Sequence, residues 1–285
     1  MFGFLNVYKP QGKTSHDVVA ILRRITKIKQ IGHTGTLDPF AEGVLPICIG
    51  KATRLIEYLD NDKAYIGTVQ LGKSTTTYDI EGEGVNYSDK NVSPDEIKTS
   101  LKNFRGEIEQ LPPIYSAIKV KGKKLYEYAR KGEKIELQPR KVNIKELKIN
   151  SYNSSLRQLE LFISCSKGTY IRSIANDLGE RLGTYGHLIK LIRVHAGKFK
   201  VDDAVMLEKL HSKEDVEKYL IPPILHLNYP KYELSAEELE KVSHGMPLYS
   251  NYNLKDGITV LTKNNEIIAI GESKFNKIKC SKVFI

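Results

Sequence analysis

The chain contains no tryptophan, three methionines and three cysteines among its 285 residues. Cys48, Cys165 and Cys280 lie far apart and no Cys-x-x-Cys pair occurs, so neither a disulfide framework nor a zinc cluster is offered. A reduced, cytosolic setting fits that usage best. No run approaches the roughly 20 apolar residues that span a bilayer. The opening MFGFLNVYKPQGK lacks the charged lead and apolar stretch of a signal peptide, so a soluble protein with no membrane attachment is expected. G-x-G-x-x-G, H-E-x-x-H and G-x-S-x-G are all absent, and the seven histidines do not fall at metal-ligand spacing. Dinucleotide-cofactor, NTPase, metalloprotease and serine-hydrolase readings are set aside, and no phosphate-binding nucleotide loop is expected. Chemistry without a metal or an organic cofactor is expected.

What is present describes a folded protein with a basic excess that bears on its partners. Hydrophobic residues make up 40% and charged residues 27%, which excludes disorder over most of the length. At about 150 residues per domain, the length suggests one large domain or one with a small satellite. Lys plus Arg, 44 in all, exceed Asp plus Glu, 34, for a net charge of +10, and nucleic acid is the first partner to consider.

The pattern mixes strands and helices without a regular βαβ beat, which favours α+β. Phe2 to Tyr8 reads as a strand, followed by a helix capped at Ser15 with Val18, Ile21, Leu22 and Ile25 as its buried stripe. Residues 32–50, punctuated by glycines and prolines, read as a shaped loop. Tyr65 to Leu71 and Leu159 to Cys165 alternate as strands, Ser93-Pro94-Asp95-Glu96 is a capping box, and Ile171 to Leu182 is a helix stopped by Gly183. Pro222, Pro223 and Pro230 mark a linker. Beyond it, Ile258 to Leu261 and Glu266 to Gly271 form a hairpin in a small β-rich module, giving domains at 1–228 and 229–285.

Two stretches carry chemistry. From Lys119 to Lys148, eleven Lys or Arg stand against four Glu, with Tyr126 and Tyr128 interleaved. A solvated surface arm is the plain reading. The sharper one is a phosphate-binding arm, because lysines and arginines release counterions on meeting a polyanion and tyrosines offer faces to bases. The second stretch is Gly32-His33-Thr34-Gly35-Thr36-Leu37-Asp38-Pro39, continuing through Glu42 to Leu45. An aspartate before proline is ordinarily a turn residue. Glycines that allow close backbone approach, a histidine five residues upstream and no other carboxylate before Glu42 favour a functional reading of Asp38.

This second stretch resembles the catalytic motif of the TruB family of tRNA pseudouridine-55 synthases. Lys9-Pro10-x-Gly12-x-x-Ser15 resembles the family's first motif, and Asp62-Lys63-x-Tyr65 its tyrosine motif. Pro112-Pro113-x-Tyr115-Ser116-Ala117-x-Lys119 with Leu125-Tyr126-Glu127-Tyr128-Ala129-Arg130-x-Gly132 resembles its RNA-gripping insertion, about 112–141. Lys167-Gly168-Thr169-Tyr170-Ile171-Arg172 with Asp177-Leu178-Gly179 resembles its arginine motif. These motifs span about 190 residues in family order, while the last 55 match less sharply and would be a PUA-like module.

The resemblance implies a mixed, mainly antiparallel sheet flanked by helices, and isomerisation of uridine to pseudouridine in the T loop of tRNA without a cofactor. It assigns Asp38 as the catalytic carboxylate, Arg172 as the cation that holds it charged and aimed, and Tyr65 as the residue that stacks on the uracil and helps late proton removal. Tyr170 and Leu191 would line the base pocket, and His33 would take the place of the extruded base. Lys9 and Pro10 would brace the site. Lys119, Lys121, Lys123, Lys124, Arg130 and Lys131 would grip the T stem-loop in an arm that is mobile until RNA arrives. A monomer with no bound metal is expected. Two other readings stand beside this one: a non-catalytic tRNA-binding or tRNA-chaperone protein, and a nucleoside or glycoside hydrolase built on Asp38 and His33 with Glu42 as second carboxylate.

Overall fold

In a computed structural model, residues 1–285 are described except 117, 121, 134 and 250–253. The chain opens with β1 (Gly3–Lys9) and enters α1 (Ser15–Thr26). The cap of α1 is Thr14, one residue before the expected Ser15, because Thr14 and Asp17 satisfy each other's backbone amides. Ser15 is instead freed to hold a loop described below. Val18, Val19 and Leu22 are buried, while Ile21 and Ile25 are only partly covered.

The stretch 32–50 is not one loop. It holds β2 (Ile31–His33) and β3 (Glu42–Ile49), with a true loop only at 34–41. Glycine and proline within β3 disguise the strand, yet its core position overrides local preference. Gly43, at φ +106°, lets β3 approach a neighbouring strand so closely that a Cβ there would lie 2.4 Å from the Arg193 carbonyl oxygen.

The strands β4 (Lys63–Leu71), β5 (Lys73–Thr75) and β6 (Gly84–Tyr87) follow. Gly67 to Ser74 does spell G-x-x-x-x-G-K-S, against the expectation that no nucleotide loop is present. It is strand, a one-residue turn at Gly72, then strand again, with no helix N-terminus to receive a phosphate. Next come α2 (Pro94–Leu101), capped reciprocally by Ser93 and Glu96, and β7 (Gly106–Gln110). The basic region begins with β8 (Lys119–Val120), β9 (Lys123–Lys124) and α3 (Leu125–Arg130).

The long β10 (Arg140–Asn153) then rejoins the main sheet. The expected arm through Lys148 is therefore too long: Val142, Ile144 and Leu147 turn inward on β10. Lys141, Lys145 and Lys148 pair with Glu107, Asp62 and Glu146. A count of charges hides the alternation that makes this segment a strand.

β11 (Gln158–Cys165), α4 (Ile171–Leu182), β12 (Gly186–Ala196), β13 (Phe199–Lys200), β14 (Val205–Met206) and α5 (Lys213–Lys218) complete this half. The main sheet runs β14-β1-β3-β12-β4-β11-β10-β7, with β2 on β3 and β13 on β12. It is mixed but mainly antiparallel: β12–β3 and β1–β14 are the parallel pairs. One core layer lies between α4, α2 and the sheet, and another lies under α1.

A second sheet, ordered β15-β17-β18-β19-β16, uses β15 (Lys231–Glu233), α6 (Ala236–Ser243) beside it, β16 (Leu248–Tyr249), β17 (Gly257–Lys263), β18 (Glu266–Lys274) and β19 (Lys277–Val283). Asn264 and Asn265, both at positive φ, make the expected hairpin turn. The proline-rich join is a packed seam rather than a loose tether. Ile221 exchanges backbone hydrogen bonds with Phe4 at 2.7 and 2.9 Å, and Ile224 and Leu227 share a core with Phe4, Val260 and Ile270. Among the described residues, no helix is long and apolar enough to cross a membrane.

Candidate active site

The loop 34–41 is tied down from three directions. Ser15 Oγ accepts from the Leu37 amide at 2.8 Å and donates back to its carbonyl at 3.2 Å. The fully buried Lys9 donates to the carbonyls of Pro10, Lys13 and Pro39 at 2.9, 2.6 and 3.3 Å. Arg193 on β12, also fully buried, donates to Val44, Thr36 and Gly35 at 2.6, 3.2 and 3.2 Å. With its carbonyls and amides satisfied in this way, the loop presents Asp38 in a fixed place.

Arg172, in the first turn of α4, meets Asp38 there. Its Nη2 donates to Oδ1 at 3.2 Å, while Nε lies 3.0 Å from Oδ2 without good hydrogen-bond aim. The contact is two-point with one well-directed bond, short of a perfect fork. Arg172 also serves Asp79, at 3.3 Å, and the carbonyls of Thr77 and Tyr115, both at 3.1 Å. Only 6% of its side chain and 4% of that of Asp79 are exposed, against 33% for Asp38, so Asp38 alone of the three keeps a face open.

Asp79 is a site residue that the sequence reading missed. Its Oδ1 accepts from Thr77 Oγ1 and from the Glu81 amide, while Oδ2 faces Arg172. Nothing in the polar stretch TTTYDIEGEG distinguishes it from a turn aspartate. Gln110, at the end of β7, was missed too. Its amide brackets Tyr170, donating to the carbonyl at 3.0 Å and accepting from the amide at 2.8 Å, and so fixes the entry to α4. Arg193 carried a readable signal: an arginine two residues after Leu191, at an inward position among Leu188, Leu191 and Ala196 of β12.

A cavity of about 410 Å³ opens in front of Asp38, within the ordinary range for small-ligand sites. Tyr65 and Lys63 from β4, Leu191 from β12, and Tyr170 and Arg172 from α4 and its approach join Asp38 in lining it. The fold thus brings together five expected residues: Asp38, Tyr65, Tyr170, Arg172 and Leu191. Pro10 sits beneath as an acceptor for Lys9. His33 lies on β2 and does not line the cavity, and its Nδ1 is buried without a partner. Among the expected arm residues, Lys123 and Lys131 are exposed, and the Lys123 ammonium stands over the Tyr128 ring at 6.0 Å. Lys121 lies outside the described residues, as do the side chains of Lys119, Lys124 and Arg130.

Electrostatics sharpen the picture. Burial pushes the Asp38 carboxyl above its ordinary range and the Arg172 guanidinium pulls it back, while Asp79 adds to the rise. Arginine therefore opposes the drift toward neutrality without cancelling it. Burial drives the Tyr65 phenol up to about 12 despite the adjacent Arg193, so it is neutral at ordinary pH. Burial lowers Lys9 to about 8. Glu42 hydrogen-bonds the Tyr8 phenol, which rises to about 12, chiefly through burial. It does not line the cavity, so the hydrolase reading loses its second carboxylate. Among the described residues, no three His, Cys, Asp or Glu side chains converge to hold a metal.

Comparison with known proteins bears on this arrangement. The TruB family pseudouridylate synthase N-terminal domain matches residues 23–171, and the tRNA pseudouridylate synthase B C-terminal domain matches residues 172–229. A tRNA pseudouridine synthase B from Caldanaerobacter subterraneus is 42% identical over 286 residues, 99% of each chain. One from Staphylococcus aureus is 42% identical over 303 aligned residues, again 99% of each. Among solved structures, a chain of an H/ACA ribonucleoprotein bound to a substrate RNA containing 2′-deoxyuridine superposes with TM-score 0.75 at 25% identity, covering all of this chain and 85% of the other. A chain of a Cbf5–Nop10–Gar1 complex gives 0.75 at 26% identity, with the same coverage. With family domains across 23–229 and 42% identity over nearly its whole length, the chain belongs to the TruB family of pseudouridylate synthases.

Proposed function

We propose that this chain isomerises uridine 55 in the T loop of tRNA to pseudouridine, with Asp38 as the catalytic carboxylate and the target base everted into the cavity. The observation that carries the proposal is that, among the described residues, Asp38 is the one carboxylate lining the cavity, and Arg172 pairs with it there. Tyr65 and Leu191 offer an aromatic and an aliphatic surface suited to a planar base. A-form stems hide their bases, so a loop from which one nucleotide can be splayed is the natural target. Everting it costs a few kcal/mol, which a pocket built for the base offsets.

The reaction exchanges a bond from ribose C1′ to uracil N1 for one to C5, so it consumes no redox equivalent and no second substrate. Asp38 works as its carboxylate. Arg172 holds that form in place, and the loop ties through Ser15, Lys9 and Arg193 keep it from swinging away. Tyr65, neutral with a pKa of about 12, acts through its ring and as a hydrogen-bond donor. The basic segment carrying Lys123 and Lys131 would lie along the T stem-loop, with residues 229–285 as a PUA-like module.

Asp38→Asn tests the reading. Chemical marking of pseudouridine in an unmodified transcript should show none formed, while tRNA affinity changes little. Retained isomerisation would refute Asp38. If the unmodified protein forms no pseudouridine either, the chain is a tRNA-binding or chaperone protein.

A further inference from the structure

The cavity holds a cation to which none of the steps above gives a task. Lys63 begins β4 two residues before Tyr65, so both side chains leave the same face of the strand, and both line the cavity with Asp38. Among the described residues, no carboxylate pairs with its ammonium, and its sequence neighbour Asp62 pairs with Lys145. Burial holds the Lys63 ammonium below the ordinary lysine range, and the Arg193 guanidinium presses the same way. The hydrogen bonds of Arg193 to main-chain groups all end on carbonyls, so it brings a second positive charge to this side without a carboxylate to match. Burying cations without counter-charge is costly. Here the cost falls beside a pocket proposed for a neutral nucleoside.

The chemistry supplies the missing anion. When C1′–N1 breaks heterolytically, the bonding pair leaves with N1 and the base becomes a uracil anion, its charge shared with O2 and O4. After the base turns, a ring pair at C5 forms the new bond to C1′. C5 then loses its proton and N1 gains one, so atoms and charge balance between isomers. Between the two bond changes the base is negative. We propose that Lys63 is a catalytic residue of this reaction, whose ammonium donates to a carbonyl oxygen of the base and stabilises the uracil anion while it is detached from ribose. The assignment rests on reading the cavity as the base site.

A preorganised charge aimed at developing charge is worth roughly 10²–10³ in rate. Lys63→Met therefore slows single-turnover isomerisation roughly a hundredfold, while the tRNA dissociation constant stays within about threefold of the parent. Lys63→Arg, which keeps the charge, retains more activity than Lys63→Met. A tRNA with 5-fluorouridine at the target isolates the charge effect. Its base leaves more readily as an anion, and cleavage of its C1′–N1 bond requires no loss of a C5 proton. Lys63→Met should slow that cleavage less than it slows cleavage of uridine.

The proposal is overturned if Lys63→Met keeps the parental rate, if its loss lies wholly in affinity, or if both substrates are slowed equally. Asp38→Asn run alongside separates the failures. An active Asp38→Asn brings down the reading of the cavity itself, whereas an inactive one beside a fully active Lys63→Met removes only the role of Lys63.

Discussion

The two walls of the cavity handle charge in opposite ways. On one, a single guanidinium is shared by two carboxylates, Asp38 and Asp79, and every partner sits within 3.3 Å. On the other, Lys63 lines the cavity and Arg193 lies outside the lining; neither pairs with a carboxylate among the described residues, and Arg193 is held by backbone carbonyls instead. The paired wall fixes the position of Asp38 and opposes the rise that burial imposes on its carboxyl. The unpaired wall holds a positive potential in reserve for charge that exists only during the reaction.

Breaking the paired wall should have the largest effect. Arg172→Met leaves Asp79 buried without a cation, and removing one partner of a buried pair costs about 3–5 kcal/mol. Urea unfolding should show that loss, and isomerisation should fall below detection; a variant as stable as the parent would mean the wall is not held by this charge.

A subtler change sharpens the comparison. Asp79→Asn removes a like charge that helps raise Asp38 while leaving an acceptor for Thr77 and the Glu81 amide. The Asp38 carboxyl is raised, so under the proposed role, in which Asp38 works ionised, activity is lost as pH falls through a value above the usual carboxylate range. In Asp79→Asn that acid limb moves to lower pH, as a rate profile would show. A limb that stays put would separate Asp79 from the titration. The smallest effect belongs to Glu42→Gln. Glu42 is engaged by Tyr8 outside the cavity, so single-turnover rates should stay close to the parent, and a large drop would revive a second catalytic carboxylate.

The paired wall was half legible in the sequence, the unpaired wall hardly at all. Asp38 and Arg172 stand in dense motifs whose glycines and prolines advertise an unusual backbone. Asp79 lies in a polar stretch that looks like any turn, and only the fold carries it to Arg172. Lys63 stands in sequence only as part of a tyrosine motif, because a lysine opening a strand normally faces water; its partial burial comes from the neighbouring strands β11 and β12. The same limit explains β3, where breakers at Gly43 and Pro46 concealed a strand paired on both sides. It also explains Thr14, since two adjacent hydroxyl residues could each have capped α1 and tertiary demand on Ser15 decided between them.

The most direct measurement is a crystal structure of Asp38→Asn bound to an unmodified T stem-loop. The account predicts the target uracil turned out of the loop and lying in the cavity against Tyr65 and Leu191, with a carbonyl oxygen toward Lys63. A uracil still stacked within the loop, with the cavity empty of RNA, would contradict it.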